Sequence, residues 1–155
     1  MAKLLVPGLE DVKKEVEKLR ERSAMYSVIR ICNSDPVEYS VVKNGGINLK
    51  GEIRMNYNEE ELKEVFKACL EDIKEDEPCY ILYDFVFFDK GLWKNAFCMI
   101  SFIPERLHIH KKVVYSTNAL RVIDELRIPL HVSFTNKNEI TYDEVKDKCS
   151  KFRSK

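Results

Sequence analysis

The sequence predicts an α/β (α+β) fold. One domain over residues 1–155 carries a mixed central sheet of five or six strands, with about four helices covering both faces. Three observations lead there. Residues 79–88 (CYILYDFVFF) and 96–103 are too uniformly apolar for strands with one wet face, so both read as central strands covered on two sides. Amphipathic helical patterns stand before, between and after the strand patterns. No long Pro/Ser/Gly linker divides the 155 residues, a length that suits one core.

From the N-terminus, residues 9–22 read as a helix, with Val12, Val16 and Leu19 at helical spacing among charges. Residues 25–32 read as a strand containing β-branched Val28, Ile29 and Ile31. Asn33-Ser34-Asp35-Pro36 turns the chain into a second strand, 37–42, which Asn44-Gly45-Gly46 ends. Ile47, Leu49, Ile53, Met55 and Tyr57 alternate with polar residues or Gly, the pattern of an edge strand or an extended loop. Asn58 then caps a second helix, and Glu61 three residues on completes a capping-box pattern. Leu62, Val65, Phe66, Cys69 and Ile73 form its apolar stripe. Strands 79–88 and 96–103 follow as a hairpin at the centre of the sheet, turned by Asp89-Lys90-Gly91 and stopped by Pro104. Residues 109–126 read as a third helix, with a bend expected where the weak helix formers Tyr115-Ser116-Thr117-Asn118 gather. A short strand, 130–134, precedes a last helix capped by Thr141, with Glu144 closing the box. Tyr142, Val145, Cys149 and Phe152 make its buried stripe.

Composition narrows the function classes. The 26 basic and 26 acidic side chains cancel, so no global field draws nucleic acid or an anionic membrane. No nucleic-acid partner is expected. Positive charge is local instead: residues 108–112 (HIHKK) are basic, and residues 146–155 hold five basic side chains and one acid. The five cysteines (Cys32, Cys69, Cys79, Cys98, Cys149) form no CxxC and read as reduced core thiols of a reducing compartment. The opening MAKLLVPG has an apolar run too short for a secretory signal. No stretch approaches the ~18 apolar residues of a membrane span. The expected address is the cytoplasm.

Catalysis has nothing positive to rest on: the chain has no glycine-rich phosphate loop, no GxSxG and no HExxH, so no enzyme and no cofactor are expected. Asp84, inside the most apolar strand, is either a carboxylate with a raised pKa or a hydrogen-bonded structural acid. The lack of a nucleophile or base at motif spacing favours the structural acid. His108 and His110 would share a face on a strand, where a metal could bind. Lys111 and Lys112 follow at once and oppose a metal cation, so an exposed basic surface is the better reading. Cys79 and Cys98 read as core residues. Ile109-His110-Lys111-Lys112 puts cations at a helix start, where the dipole is already positive. A solvated cluster and a face turned toward an acidic partner fit that equally. Leu92 and Trp93 at the hairpin loop either anchor a partner or fold back onto the sheet, with folding back slightly favoured.

Taken together, Tyr83-Asp84-Phe85, the hairpin, Phe102-Ile103-Pro104, the Lys-Val-Val-Tyr-Ser-Thr helix from Lys112, and Tyr142-Asp143-Glu144-Val145-Lys146-Asp147-Lys148-Cys149 resemble an actin-depolymerising factor homology domain, in particular its actin-depolymerising factor/cofilin branch. The order and spacing extend from the helix beginning at Leu9 to Phe152. The resemblance implies a single-domain protein of the cytoplasm and cytoskeleton that binds actin monomers and promotes filament depolymerisation, severing and turnover. On the monomer side it implies Lys3, Leu5 and Val6 before the first helix, and His110, Lys111, Lys112, Val113 and Asn118 on the long helix. On the filament side it implies Lys90 and Lys94 of the hairpin with Asp147, Lys148 and Lys151 of the last helix. The implied partners are monomeric and filamentous actin, in the ADP form, with phosphoinositide head groups competing for the same cations. The chain itself is expected to be a monomer.

This sequence departs from the branch at several places. Ala119 stands where many cofilins have Lys, and the hairpin loop, read as 89–95, is compact. Both lead to an expectation of weaker filament binding and severing. No Ser or Thr precedes Ser23, so inhibition by phosphorylating an N-terminal Ser is not available. Residues 47–57 read as extra material relative to compact members. The alternative is the glia maturation factor branch, which shares the fold and docks on the actin-branching (Arp2/3) complex instead of actin.

Overall fold

The computed structural model describes residues 6–50 and 56–153. In chain order its elements are α1 (Leu9–Arg20), β1 (Tyr26–Ser34), β2 (Val37–Gly45), α2 (Glu59–Leu70), β3 (Cys79–Asp89), β4 (Leu92–Phe102), α3 (Ile109–Leu126), β5 (Leu130–Phe134), a 3-10 turn (Lys137–Glu139) and α4 (Tyr142–Arg153). The five strands form one mixed sheet in the order β2-β1-β3-β4-β5. All neighbours are antiparallel except β4 and β5, which run parallel.

β3 is buried from Cys79 to Phe87 because its alternate residues feed two cores. Cys79, Ile81, Tyr83, Phe85 and Phe87 pack with Leu62, Phe66 and Cys69 of α2 and with Val145 and Cys149 of α4. Tyr80 and Leu82 pack on the opposite face with Val12, Val16 and Leu19 of α1 and with Tyr115, Ala119 and Val122 of α3. The sheet is therefore a middle layer between two helix pairs. Caps define the helix starts as expected: Asn58 accepts from the amide of Glu60 at 3.0 Å, and Thr141 accepts from that of Glu144 at 3.2 Å.

Several boundaries differ from the sequence expectation. α1 ends at Arg20, and Arg22 adopts a left-handed φ of 65°. β1 and β2 run longer because they pair with each other through two register shifts. Among the described residues the sheet has five strands: residues 47–50 form a loop with Leu49 tucked into the core, while Ile53 and Met55 lie outside the described residues. The loop read as 89–95 is a two-residue turn. Lys90 (φ 50°) and Gly91 (φ 81°) both take the left-handed conformation that matches strand twist, so Asp89 pairs with Leu92 and Phe88 with Trp93. The weak helix formers at residues 115–118 do not interrupt α3, which runs unbroken from Ile109 to Leu126. There Ser116 and Thr117 face solvent, and the Asn118 amide nitrogen donates to the Val114 carbonyl one turn back at 2.8 Å.

Candidate functional site

α3 begins with no acidic residue in its first turn. Its cap is His108, whose ring Nδ1 accepts from the His110 amide at 3.2 Å. The two histidines of the HxH pair therefore sit at a helix start, not side by side on a strand. Among the described residues, no group of three or more His, Cys, Asp or Glu side chains could hold a metal ion.

Past the cap, three large apolar residues of α3 face solvent: Ile109 is 69% exposed, Val113 54% and Leu120 65%. They recur at spacings of four and seven, so they form one stripe along the outer side of the helix. Ser116 lies on the same line. Lys112 and His110 are two residues apart, roughly 160° around the axis, and so flank the stripe on opposite sides. His110 and Lys111 are exposed and Lys112 is half-buried. An apolar strip flanked by a histidine and a lysine is suited to an apolar groove with polar, hydrogen-bonding walls.

Asn118 does not join that surface. It is buried, accepting from the Tyr39 hydroxyl at 3.1 Å. Ala119 is only 2% exposed, turned into the core. A core alanine does not shape the outer face of α3, so the weaker binding inferred from its lack of charge loses its ground.

The segment before α1 reaches the same side of the sheet. Val6 packs against the core shared by α1 and α3. Pro7 accepts from the Tyr39 amide at 2.9 Å. Lys3 and Leu5 lie outside the described residues.

Two more phenols tie α3 down. The Tyr80 hydroxyl donates to the Tyr115 carbonyl. The Tyr115 hydroxyl accepts from the Ile31 amide at 3.0 Å, beyond the last β1–β3 pair at Ile29 and Tyr80. Burial raises the pKa of Tyr39, Tyr80 and Tyr115, so all three remain neutral donors.

The residues expected on the filament side gather at the other end of the molecule. Asp89, at the hairpin end, accepts from the Ser150 hydroxyl of α4 at 2.9 Å and pairs with Lys94 at 3.3 Å. The Ser150 hydrogen bond and then Lys94 hold its carboxyl below the usual aspartate range. Lys94 belongs to β4, is largely covered, and spends its charge locally. On α4, Lys151 pairs with Asp147 at 3.0 Å, and Lys148 is exposed. Lys90 occupies the turn. The hydrogen bond between Ser150 and Asp89 thus joins the hairpin to the last helix.

The other singled-out residues are structural. Asp84 is buried; burial raises its pKa, against the Asn95 amide at 3.0 Å and Arg22 at 3.8 Å. Trp93 folds back between Tyr57 and Phe88, with ring centroids 5.2 and 5.3 Å away, while Leu92 remains exposed. Cys79 and Cys98 are core residues, and burial pushes the Cys79 thiol up to about 12. Sequence reading missed one polar cluster: Ser101, His131 and Ser133 meet across β4 and β5, with His131 Nε2 at 2.6 and 3.3 Å from the two hydroxyls. No motif marks it, because the pairing depends on strand register. It also missed an open groove of about 630 Å³ at the C-terminal ends of β4 and β5, lined by Glu105, His108, Asn136 and Lys137 among others.

A family model described as cofilin/tropomyosin-type actin-binding protein matches residues 6–150. No curated protein sequence matches the chain. Solved structures share the fold. Plasmodium berghei actin depolymerization factor 2 superposes with a TM-score of 0.73 at 16% identity, over 96% of this chain and 98% of that one. The ADF-like UNC-60A protein of Caenorhabditis elegans gives 0.70 at 20% identity, over 92% and 93%. Human coactosin-like protein gives 0.71 at 10% identity, over 98% and 100%.

Proposed function

Because the chain belongs to the cofilin/tropomyosin-type actin-binding family, we propose that it binds actin monomers through α3 and the segment before α1, and that it promotes depolymerisation and severing of filaments. The observation that carries the reading is the solvent-facing stripe of Ile109, Val113 and Leu120 between His110 and Lys112. Leaving three large apolar side chains in water on one helix face is a standing cost unless a partner covers them. Lysines at a helix start oppose the dipole, which an acidic partner would relieve. Lys3, Leu5 and Val6 would extend the contact, while Asn118 would act from beneath it.

Lys90, Asp147, Lys148 and Lys151 would face the neighbouring actin of a filament, with Lys94 acting from behind them through its ion pair with Asp89. The link between the hairpin and α4 supports treating them as one surface. Binding one filament geometry or the ADP form of actin more tightly than another shifts the equilibrium by that difference in affinity. Phosphoinositide head groups would compete for the basic end of α3. The protein would work as a monomer in the cytoplasm, on the cytoskeleton. No helix among the described residues is long and apolar enough to cross a membrane.

The test is the loss of pyrene-actin fluorescence from filaments, with the purified chain and with Lys112→Ala. The reading expects depolymerisation that the variant slows. Equal rates would remove α3 from the site, and no effect of either protein on monomers or filaments would remove the function.

A further inference from the structure

Tyr39 makes hydrogen bonds to two different segments. Its amide donates to the Pro7 carbonyl at 2.9 Å, and its hydroxyl donates to Asn118 Oδ1 at 3.1 Å. The Asn118 side-chain nitrogen in turn donates to the Val114 carbonyl at 2.8 Å, one turn nearer the N-terminus of α3. A continuous hydrogen-bonded line therefore runs from the segment before α1, through an edge strand of the sheet, into the middle of α3. Around this point Ala119 and Val122 of α3 meet the sheet through apolar contact, and one turn back Tyr115 adds hydrogen bonds to Tyr80 and Ile31; of these directional bonds, the one between Tyr39 and Asn118 continues to the segment before α1. Apolar contact is nondirectional and tolerates rotation of a helix about its axis, whereas a buried hydrogen bond fixes one orientation. The rotation of α3 is what turns Ile109, Val113 and Leu120 outward.

We propose that Tyr39 and Asn118 are positioning residues that lock the segment at residues 6–8 and the outer face of α3 into a single docking unit. Asn118 thus acts through Tyr39 and not by touching a partner. Its value for binding rests on the reading of α3 as the docking face; the lock itself does not.

Native-state hydrogen exchange tests the lock on Tyr39→Phe, which keeps the ring, and on Asn118→Leu. In both variants the amides of Leu9 and Tyr39, bonded to Val6 and Pro7, should exchange roughly five- to tenfold faster, as should those of residues 112–118. The β3–β4 amides should hold their rates. Acceleration confined to α3 would overturn the proposal, because the two segments would then be independent. Equal acceleration everywhere would overturn it too, because the pair would serve only global stability. A second arm measures affinity for actin monomers, which both variants should weaken by a similar factor although neither side chain is exposed. Unchanged affinity would sink the positioning role. If the unaltered chain binds no monomer, the functional reading fails while the exchange result still decides the lock.

Discussion

The Cβ that Gly8 lacks would fall 1.9 Å from the carbonyl oxygen of Tyr39. Gly8 also caps α1 with φ 84°, a left-handed conformation that side chains disfavour. Only glycine lets the segment press flat on β2. Gly8→Ala is therefore expected to cost at least about 2 kcal/mol. Urea denaturation measures the loss. Stability within experimental error of the unaltered protein would mean that the close approach does not matter.

The exposed stripe predicts a separation of binding from stability. Val113→Asp changes a residue that supports no core, so melting should move by no more than about 0.5 kcal/mol. A carboxylate in the middle of an apolar contact should nonetheless weaken monomer binding by about tenfold or more. Titration of labelled actin monomers alongside thermal unfolding reads both.

The two surfaces should be separable as well. Lys148→Glu combined with Lys151→Glu reverses charge on the exposed side of α4, far from α3. Filament co-sedimentation should fall several-fold, steeply at low salt, while monomer affinity remains. Parallel loss of both activities would argue for one surface rather than two.

Glu15 supplies a pH dependence. Burial alone would raise its pKa, but Lys18 at 2.7 Å, Asn44 at 2.7 Å and Ser27 at 3.0 Å outweigh it and hold the carboxyl below its ordinary 4.5. Its folded pKa lies under the unfolded one, so its stabilisation is present above about pH 4.5 and is lost as pH falls through the folded value. Glu15→Gln should cost about 1 kcal/mol at neutral pH and progressively less below that window. A penalty that stays constant with pH would show that the charge is not what matters.

Much of the fold was legible because it rests on local rules. Two continuous apolar strands, capping residues at Asn58 and Thr141, and helical stripes that survive in any context placed every helix and the central hairpin. Boundaries slipped where pairing decides them. Nothing in Leu92-Trp93-Lys94-Asn95 says strand until Asp89 and Phe88 stand opposite.

The site divides the same way. The cations of residues 108–112 and an apolar Val113 are visible in the sequence, and the resemblance gave them a partner. Which way α3 faces is not, because helical spacing alone leaves its rotation open. The resemblance implies a surface role for Asn118, which is buried, and a missing surface charge at Ala119, which is core.

From the amino-acid order alone came the family, the layered α/β plan and the two basic stretches, since each depends on neighbours close in the chain. The tertiary structure alone decided that Tyr39 bridges Pro7 to Asn118, that Asp89 ties the hairpin to α4, and that the apolar stripe of α3 faces water. Residues 79 positions apart meet only when the sheet brings them together, and no local pattern encodes a directional bond across that distance.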